Sequence, residues 1–256
     1  MKNLKNFDKM HAIGCACCGG VQGVGPSTAG TSFSRRGVLR GAMAGMAAGV
    51  LSGLALGASR RAWADDGMMS PEAALQALVE GNERFVAKKF TFLEQDLNIL
   101  KQNTVAKQEP FAAVLSCADS RVPVELAFDQ SIGHVFVARV AGNIATGENI
   151  ASLEYGAAVL GTKVIMVLGH SNCGAVKATI DGKPVPGQIS SLYAHIRPAV
   201  DAAGSDLEAA IKANARIQAN LLATASPVLA GLIKEKKLRV VAGYYNLADG
   251  KVSVLG

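Results

Sequence analysis

The chain has 256 residues, 50% of them hydrophobic, and a formal charge of +6. That charge sits in residues 1–64, where Lys2, Lys5, Lys9, Arg35, Arg36, Arg40, Arg60 and Arg61 face Asp8 alone; of the chain's 26 basic and 20 acidic residues, 18 and 19 remain beyond them, a net of −1. A nucleic-acid partner is excluded for residues 65–256, because a phosphate-binding footprint would persist on the folded body.

The first segment reads as a targeting signal. Ser34-Arg35-Arg36-Gly37-Val38-Leu39-Arg40 fits a twin-arginine pattern, a mild apolar stretch runs from Gly41 to Ala58, and Ala62-Trp63-Ala64 has the form of a cleavage site. Residues 1–64 are therefore expected to be a leader. The mature chain would be periplasmic or otherwise exported by the twin-arginine route, with no stable membrane association after cleavage. His11 with Cys15, Cys17 and Cys18 falls in this leader among Gly14, Gly19 and Gly20, with no apolar framework behind it. Cys117 and Cys173 are then the cysteines of the mature chain. In an oxidising compartment they read either as a disulfide or as two thiolates held by a metal.

Residues 65–256 are long enough for one domain with its own core. Ser70-Pro71-Glu72 marks a helix start, and Ala74, Leu75, Leu78, Val79, Phe85 and Val86 follow at helical spacing. This stripe, with the polar stretch from Lys88 to Glu109, is expected to form a helical arm over residues 65–107. The arm's apolar face is predicted to pack on a neighbouring subunit. From residue 108 the pattern becomes that of an α/β core. Apolar runs at 111–117, 134–140, 163–170 and 238–245 have strand length and are apolar on both faces, as in a parallel sheet covered by helices on each side. Helices are predicted over 149–160, 188–203 and 207–222 and from Pro227 onward. Asp249-Gly250 signals a final hairpin between Tyr244–Leu247 and Lys251–Leu255. The fold class is thus α/β: four parallel strands plus an antiparallel C-terminal strand, flanked by helices.

In such a sheet ligands collect beyond the carboxyl ends of the strands. Cys117 ends the first predicted strand and His170 the third, with Cys173 three residues on in a turn that opens a helix. Two thiolates and an imidazole make a three-ligand set known for catalytic zinc, with a fourth position left for water or substrate. Asp119 and Arg121 alternate beyond Cys117 and share a side. Asp119 is either a fourth ligand, in a closed site, or the partner of Arg121, in an open one.

These residues resemble those of the β-class carbonic anhydrases. The likeness is carried by Cys117-x-Asp119-x-Arg121, Arg139-Val140-Ala141-Gly142-Asn143, Glu154-Tyr155-Gly156-Ala157 and His170-Ser171-Asn172-Cys173-Gly174-Ala175. It implies Zn²⁺ on Cys117, His170 and Cys173, with Asp119–Arg121 as the gating dyad. It also implies substrate contacts from Gln108, Phe136 and Tyr155, and backbone N–H groups around Gly174 for an anionic product. The implied reaction is hydration of carbon dioxide to bicarbonate and a proton by zinc-bound hydroxide, in a homodimer or homotetramer. His134 and His195 are candidate proton shuttles. Val140 stands where the family usually has asparagine, and Val114 stands where the bicarbonate-inhibited subgroup has tryptophan. The latter implies an open site with Asp119 off the metal. A zinc hydrolase of carbonyl sulfide or carbon disulfide would share every ligand, and a zinc-stabilised binding protein would keep Asp119 on the metal.

Overall fold

The computed structural model describes residues 69–92, 98, 102 and 104–256. The proposed leader, its cysteines and much of the stretch read as the end of the arm lie outside these residues. The centre of the fold is a five-stranded sheet in the order β2-β1-β3-β4-β5. Its strands are β1 (Ala112–Ser116), β2 (Val135–Arg139), β3 (Val164–His170), β4 (Arg239–Tyr245) and β5 (Val252–Leu255). The first four run parallel, with Ala112 beside both Val135 and Val164, and β5 pairs antiparallel with β4.

Alternation along each strand divides the core. Ala112, Val114, Val164, Met166 and Leu168 face one layer, which α1 (Pro71–Val86) covers with Ala74, Leu75 and Leu78. Ala113, Leu115, Ile165 and Val167 face the other, covered by α3 (Gly147–Glu154), α6 (Leu207–Ala225) and α7 (Pro227–Lys234). Burying such residues on both faces stabilises the sheet by roughly 1.5–3 kcal/mol for each large apolar side chain. Gly169 allows α6 to come close, since a Cβ there would stand 3.1 Å from Ile211 Cγ2 and 3.3 Å from the Ile211 carbonyl oxygen.

Three expectations need correction. The stripe on α1 does not await a neighbouring subunit: Ala74 and Leu78 are fully buried against the chain's own sheet. A sheet apolar on both faces needs a cover on the second face, and α1 supplies it. The helix expected over 149–160 is α3 followed by a π-turn at Tyr155–Val159, closed by the Leu160 N–H donating to the Tyr155 carbonyl at 3.2 Å. Gly156 in this turn packs directly on the Phe136 ring. The run at 238–245 is β4 and ends at Tyr245 as read, but the final hairpin pairs Ala242–Tyr245, and not Tyr244–Leu247, with Val252–Leu255. Asn246 and Asp249 take over there, their Oδ1 atoms accepting the N–H groups of Ala248 and Lys251 at 3.0 Å each. A short helix, α2 (Val124–Ala127), was not anticipated.

Candidate metal centre

Cys117 directly follows β1, and His170 is the last residue of β3. Cys173 caps α4 (Gly174–Asp181) after a turn in which Asn172 adopts a left-handed φ of 55°. The three side chains are 4%, 0% and 0% exposed, and their ligating atoms lie within 4.8 Å of one another.

Local hydrogen bonds aim these groups. His170 Nδ1 pairs with the Ser171 carbonyl at 3.0 Å, which makes it the protonated nitrogen and leaves the Nε2 lone pair pointing at the sulfurs. Nε2 is buried without a hydrogen-bond partner. A buried acceptor left bare is costly, and here it faces two cysteines. The Gly142 N–H donates to Cys117 Sγ at 3.3 Å. The contact with Cys173 outweighs burial and pushes the Cys117 thiol down, with help from the Gly142 N–H. The same contact and burial push Cys173 up. Two buried sulfurs this close disfavour a second negative charge between them. A divalent cation removes the conflict by drawing both cysteines into the thiolate form. This Cys₂His set fits zinc.

Asp119 is held away from that position. Its Oδ1 accepts from the Arg121 backbone N–H and from Arg121 Nε, both at 2.9 Å, and its Oδ2 accepts from a terminal Arg121 nitrogen at 2.7 Å. The Arg121 side chain, through this bidentate contact, keeps the Asp119 carboxyl well below the usual carboxylate range. Asp119 Oδ2 comes no nearer than 3.9 Å to His170 Nε2.

Arg139 carried a family motif in the sequence but had no assigned role. At the end of β2 it lies beside Ser116, and it donates to the Cys117 carbonyl at 3.0 Å and to the Asp119 carbonyl at 2.6 Å. It thereby fixes the backbone that carries both a ligand and the dyad.

The remaining candidates are spread out. A Cβ on Gly174 would meet no heavy atom within 4 Å, so the start of α4 has open space beside Cys173. Gln108 is exposed and precedes β1, at the opposite end of that strand from Cys117. Phe136 lies in edge strand β2, its ring 6.4 Å from that of Tyr155, which is 47% exposed. A cavity of about 700 Å³ reaches Arg121 and Asn172, but Gln108, Phe136 and Tyr155 do not line it. His134 stands at the amino end of β2, away from the ligands, and burial lowers its pKa. His195 is exposed on α5 (Tyr193–Ala203).

A parallel sheet with a Cys₂His group at its carboxyl edge and a carboxylate–guanidinium pair beside it defines a metalloenzyme-type centre. Residues 112–252 match the carbonic anhydrase family. The chain is 35% identical over 198 residues to the carbonic anhydrase of Mycolicibacterium smegmatis, covering 72% of this chain and 93% of that one. It is 40% identical over 135 residues to carbonic anhydrase 2 of Mycobacterium tuberculosis, covering 51% of this chain and 65% of that relative's length. The solved β-carbonic anhydrase CcaA is similar with a TM-score of 0.57 and 28% identity, over 71% of this chain and 95% of that one. The chain belongs to the β-carbonic anhydrase family.

Proposed function

We propose that the protein catalyses the reversible hydration of carbon dioxide to bicarbonate and a proton. The observation that carries this reading is the geometry of Asp119, which Arg121 holds in two-pronged contact 3.9 Å from a bare His170 Nε2, leaving room among the three ligands for a reacting oxygen. Zinc on Cys117, His170 and Cys173 supplies the Lewis acidity that makes water a nucleophile near neutral pH. The chain's own groups do the rest. Ionised Asp119 accepts a hydrogen bond from a protonated oxygen and repels an unprotonated anion. Arg121 keeps Asp119 ionised, and Arg139 fixes the carbonyls of Cys117 and Asp119. The open start of α4 at Gly174 offers N–H groups to an anionic product. Stopped-flow carbon dioxide hydration on zinc-loaded protein tests this. Asp119→Ala should lower kcat/KM by about 10²–10⁴-fold at unchanged zinc content, the range for loss of a positioned proton acceptor. A wild-type rate no higher than buffer would refute the reading.

A second copy of the chain completes the substrate pocket in this reading. Gln108 precedes β1, whose five residues span about 16 Å at the strand rise of 3.3 Å per residue, and Cys117 follows the strand's far end. In this reading it serves the metal centre of a neighbouring copy and not its own. Edge strand β2 has Val135, Phe136 and Val137 half-buried, and the neighbouring Tyr155 and Val159 are 47% and 65% exposed. This is an apolar margin suited to a copy of itself in a homodimer or homotetramer. The Ser34–Arg40 pattern supports export by the twin-arginine route. Replacing Arg35 and Arg36 with lysine should retain the precursor in the cytoplasm, and undiminished export would overturn that part.

A further inference from the structure

The polar residues Asn214 and Gln218 lie one turn apart on the buried face of α6, each 1% exposed, among Ala210, Ile211, Ala215 and Leu222. Two amides in an apolar helix face cost stability unless every group is paired. These are paired with the loop that touches the metal centre. Asn214 Nδ2 donates to the Gly142 carbonyl at 2.9 Å, and Gln218 Oε1 accepts the Ala145 N–H at 2.9 Å. Gln218 Nε2 donates to Asn214 Oδ1 at 3.2 Å and to the His195 carbonyl at 3.0 Å, which ties the pair to α5.

That loop needs holding. Gly142 has φ 79° and Asn143 φ 45°, and left-handed backbone at a residue other than glycine persists only where its surroundings enforce it. A Cβ on Gly142 would stand 2.7 Å from Ile196 Cδ1, so the loop is pressed against α5 from that side. Gly142 is also the residue whose N–H meets Cys117 Sγ. Its carbonyl and its N–H flank a single φ/ψ pair, so anchoring the one aims the other.

We propose that Asn214 and Gln218 are positioning residues of the metal centre, a buried amide latch that holds the 142–145 loop so that the Gly142 N–H stays on the Cys117 sulfur. An N–H donor on a metal-bound thiolate draws charge from the sulfur and orients it, and loss of such an outer contact weakens metal binding by about 10–100-fold. The inference rests on Cys117 as a metal ligand.

The test compares Asn214→Leu, which keeps the volume and removes the donor, with Gln218→Met, which leaves the Ala145 N–H unpaired. Leu222→Ala, on the same helix but with no side-chain hydrogen bond to the loop, serves as the control for lost stability. Two quantities are read on metal-loaded full-length protein: the rate of zinc transfer to excess chelator, and the thiolate-to-cobalt absorption band after cobalt(II) substitution. Either latch variant should release zinc about tenfold faster or more and shift the band. Leu222→Ala should melt at lower temperature with both quantities unchanged. If Asn214→Leu does not fold, Gln218→Met decides alone. Latch variants that melt lower yet keep the wild-type rate and band would overturn the proposal and leave the metal assignment standing. A wild-type protein with no thiolate-to-cobalt band would instead refute Cys117 as a ligand.

Discussion

The two ends of the sheet differ in how complete one chain makes them. At the carboxyl end, β1 and β3 deliver Cys117 and His170, α4 delivers Cys173, and all three are buried with their orienting partners inside the same chain. At the amino end and along β2, Gln108, Tyr155 and Val159 are exposed and do not line the cavity that reaches Arg121. The metal-binding half of the function is thus intrinsic to the fold of a monomer. In the proposed reading, the substrate-binding half depends on association. Metal content and activity should therefore be separable by mutation, and each end should fail in its own way.

The largest effect is expected at the complete end. Cys117→Ser removes one of two soft ligands and leaves His170 Nε2 facing a weaker partner. Zinc and carbon dioxide hydration should be lost together, with a fall in kcat/KM on the order of 10³-fold or more, since water is then no longer activated near neutral pH. Metal analysis alongside stopped-flow rates checks this. Retained activity at full zinc content would break the ligand set. At the unfinished end, Val159→Asp places a charge on the exposed margin beside β2. Charged residues are depleted from the cores of protein interfaces. The variant should sediment as a monomer, with a dissociation constant raised about 100-fold or more, equivalent to about 2.8 kcal/mol. Activity should fall while one zinc per chain remains. A fully active monomer would show that a single chain completes its own pocket.

The same contrast explains how much could be read in advance. The parallel strands were legible because residues buried on both faces must be apolar at every position, as in Val164–Leu168. The ligand set was legible because His170 and Cys173 are local, and strand ends fix where Cys117 lies. The home of α1 was not legible, since an apolar stripe does not say which surface it covers. Arg139 had no readable role because its partners are backbone carbonyls in the segment just past the neighbouring strand, and carbonyls leave no trace in sequence. The π-turn at Tyr155–Val159 keeps the apolar spacing of an ordinary helix. Asn214 and Gln218 did leave a signal, two amides at the helical spacing of Ala210, Ile211, Ala215 and Leu222, though sequence does not name what they bind.

A smaller effect is expected where Asp129, just after α2, holds the end of α1 and the segment that follows it. Burial pushes its carboxyl up, but Arg84 Nε at 2.5 Å, the Thr91 hydroxyl at 2.7 Å and the N–H groups of Thr91 and Phe92 together lower it. A folded-state pKa below the unfolded value contributes stability that is present above about pH 4 and is lost as pH falls through the lowered value. Asp129→Asn should cost about 1–3 kcal/mol at pH 7, as for other broken buried hydrogen bonds to a charged group. It should also flatten the acid limb of stability below about pH 4, as measured by urea titration at several pH values. A parallel acid limb in variant and wild type would place the titrating group elsewhere.

The smallest effect lies at the first turn of α1, where Ser70 Oγ accepts the Ala73 N–H at 3.1 Å and Pro71 occupies the first helical position. Ser70→Ala leaves that N–H to water at an exposed site and should cost about 1 kcal/mol. For a domain of this size that lowers Tm by about 2–4 °C. Because α1 covers the sheet face opposite α6, and the ligands hang from strand ends that β1 and β3 fix by their own pairing, zinc content and kcat/KM should be unchanged. If this cap variant lost metal in proportion to stability, the carboxyl end would depend on the arm for its geometry. The independence of the two ends would then fail at its mildest perturbation.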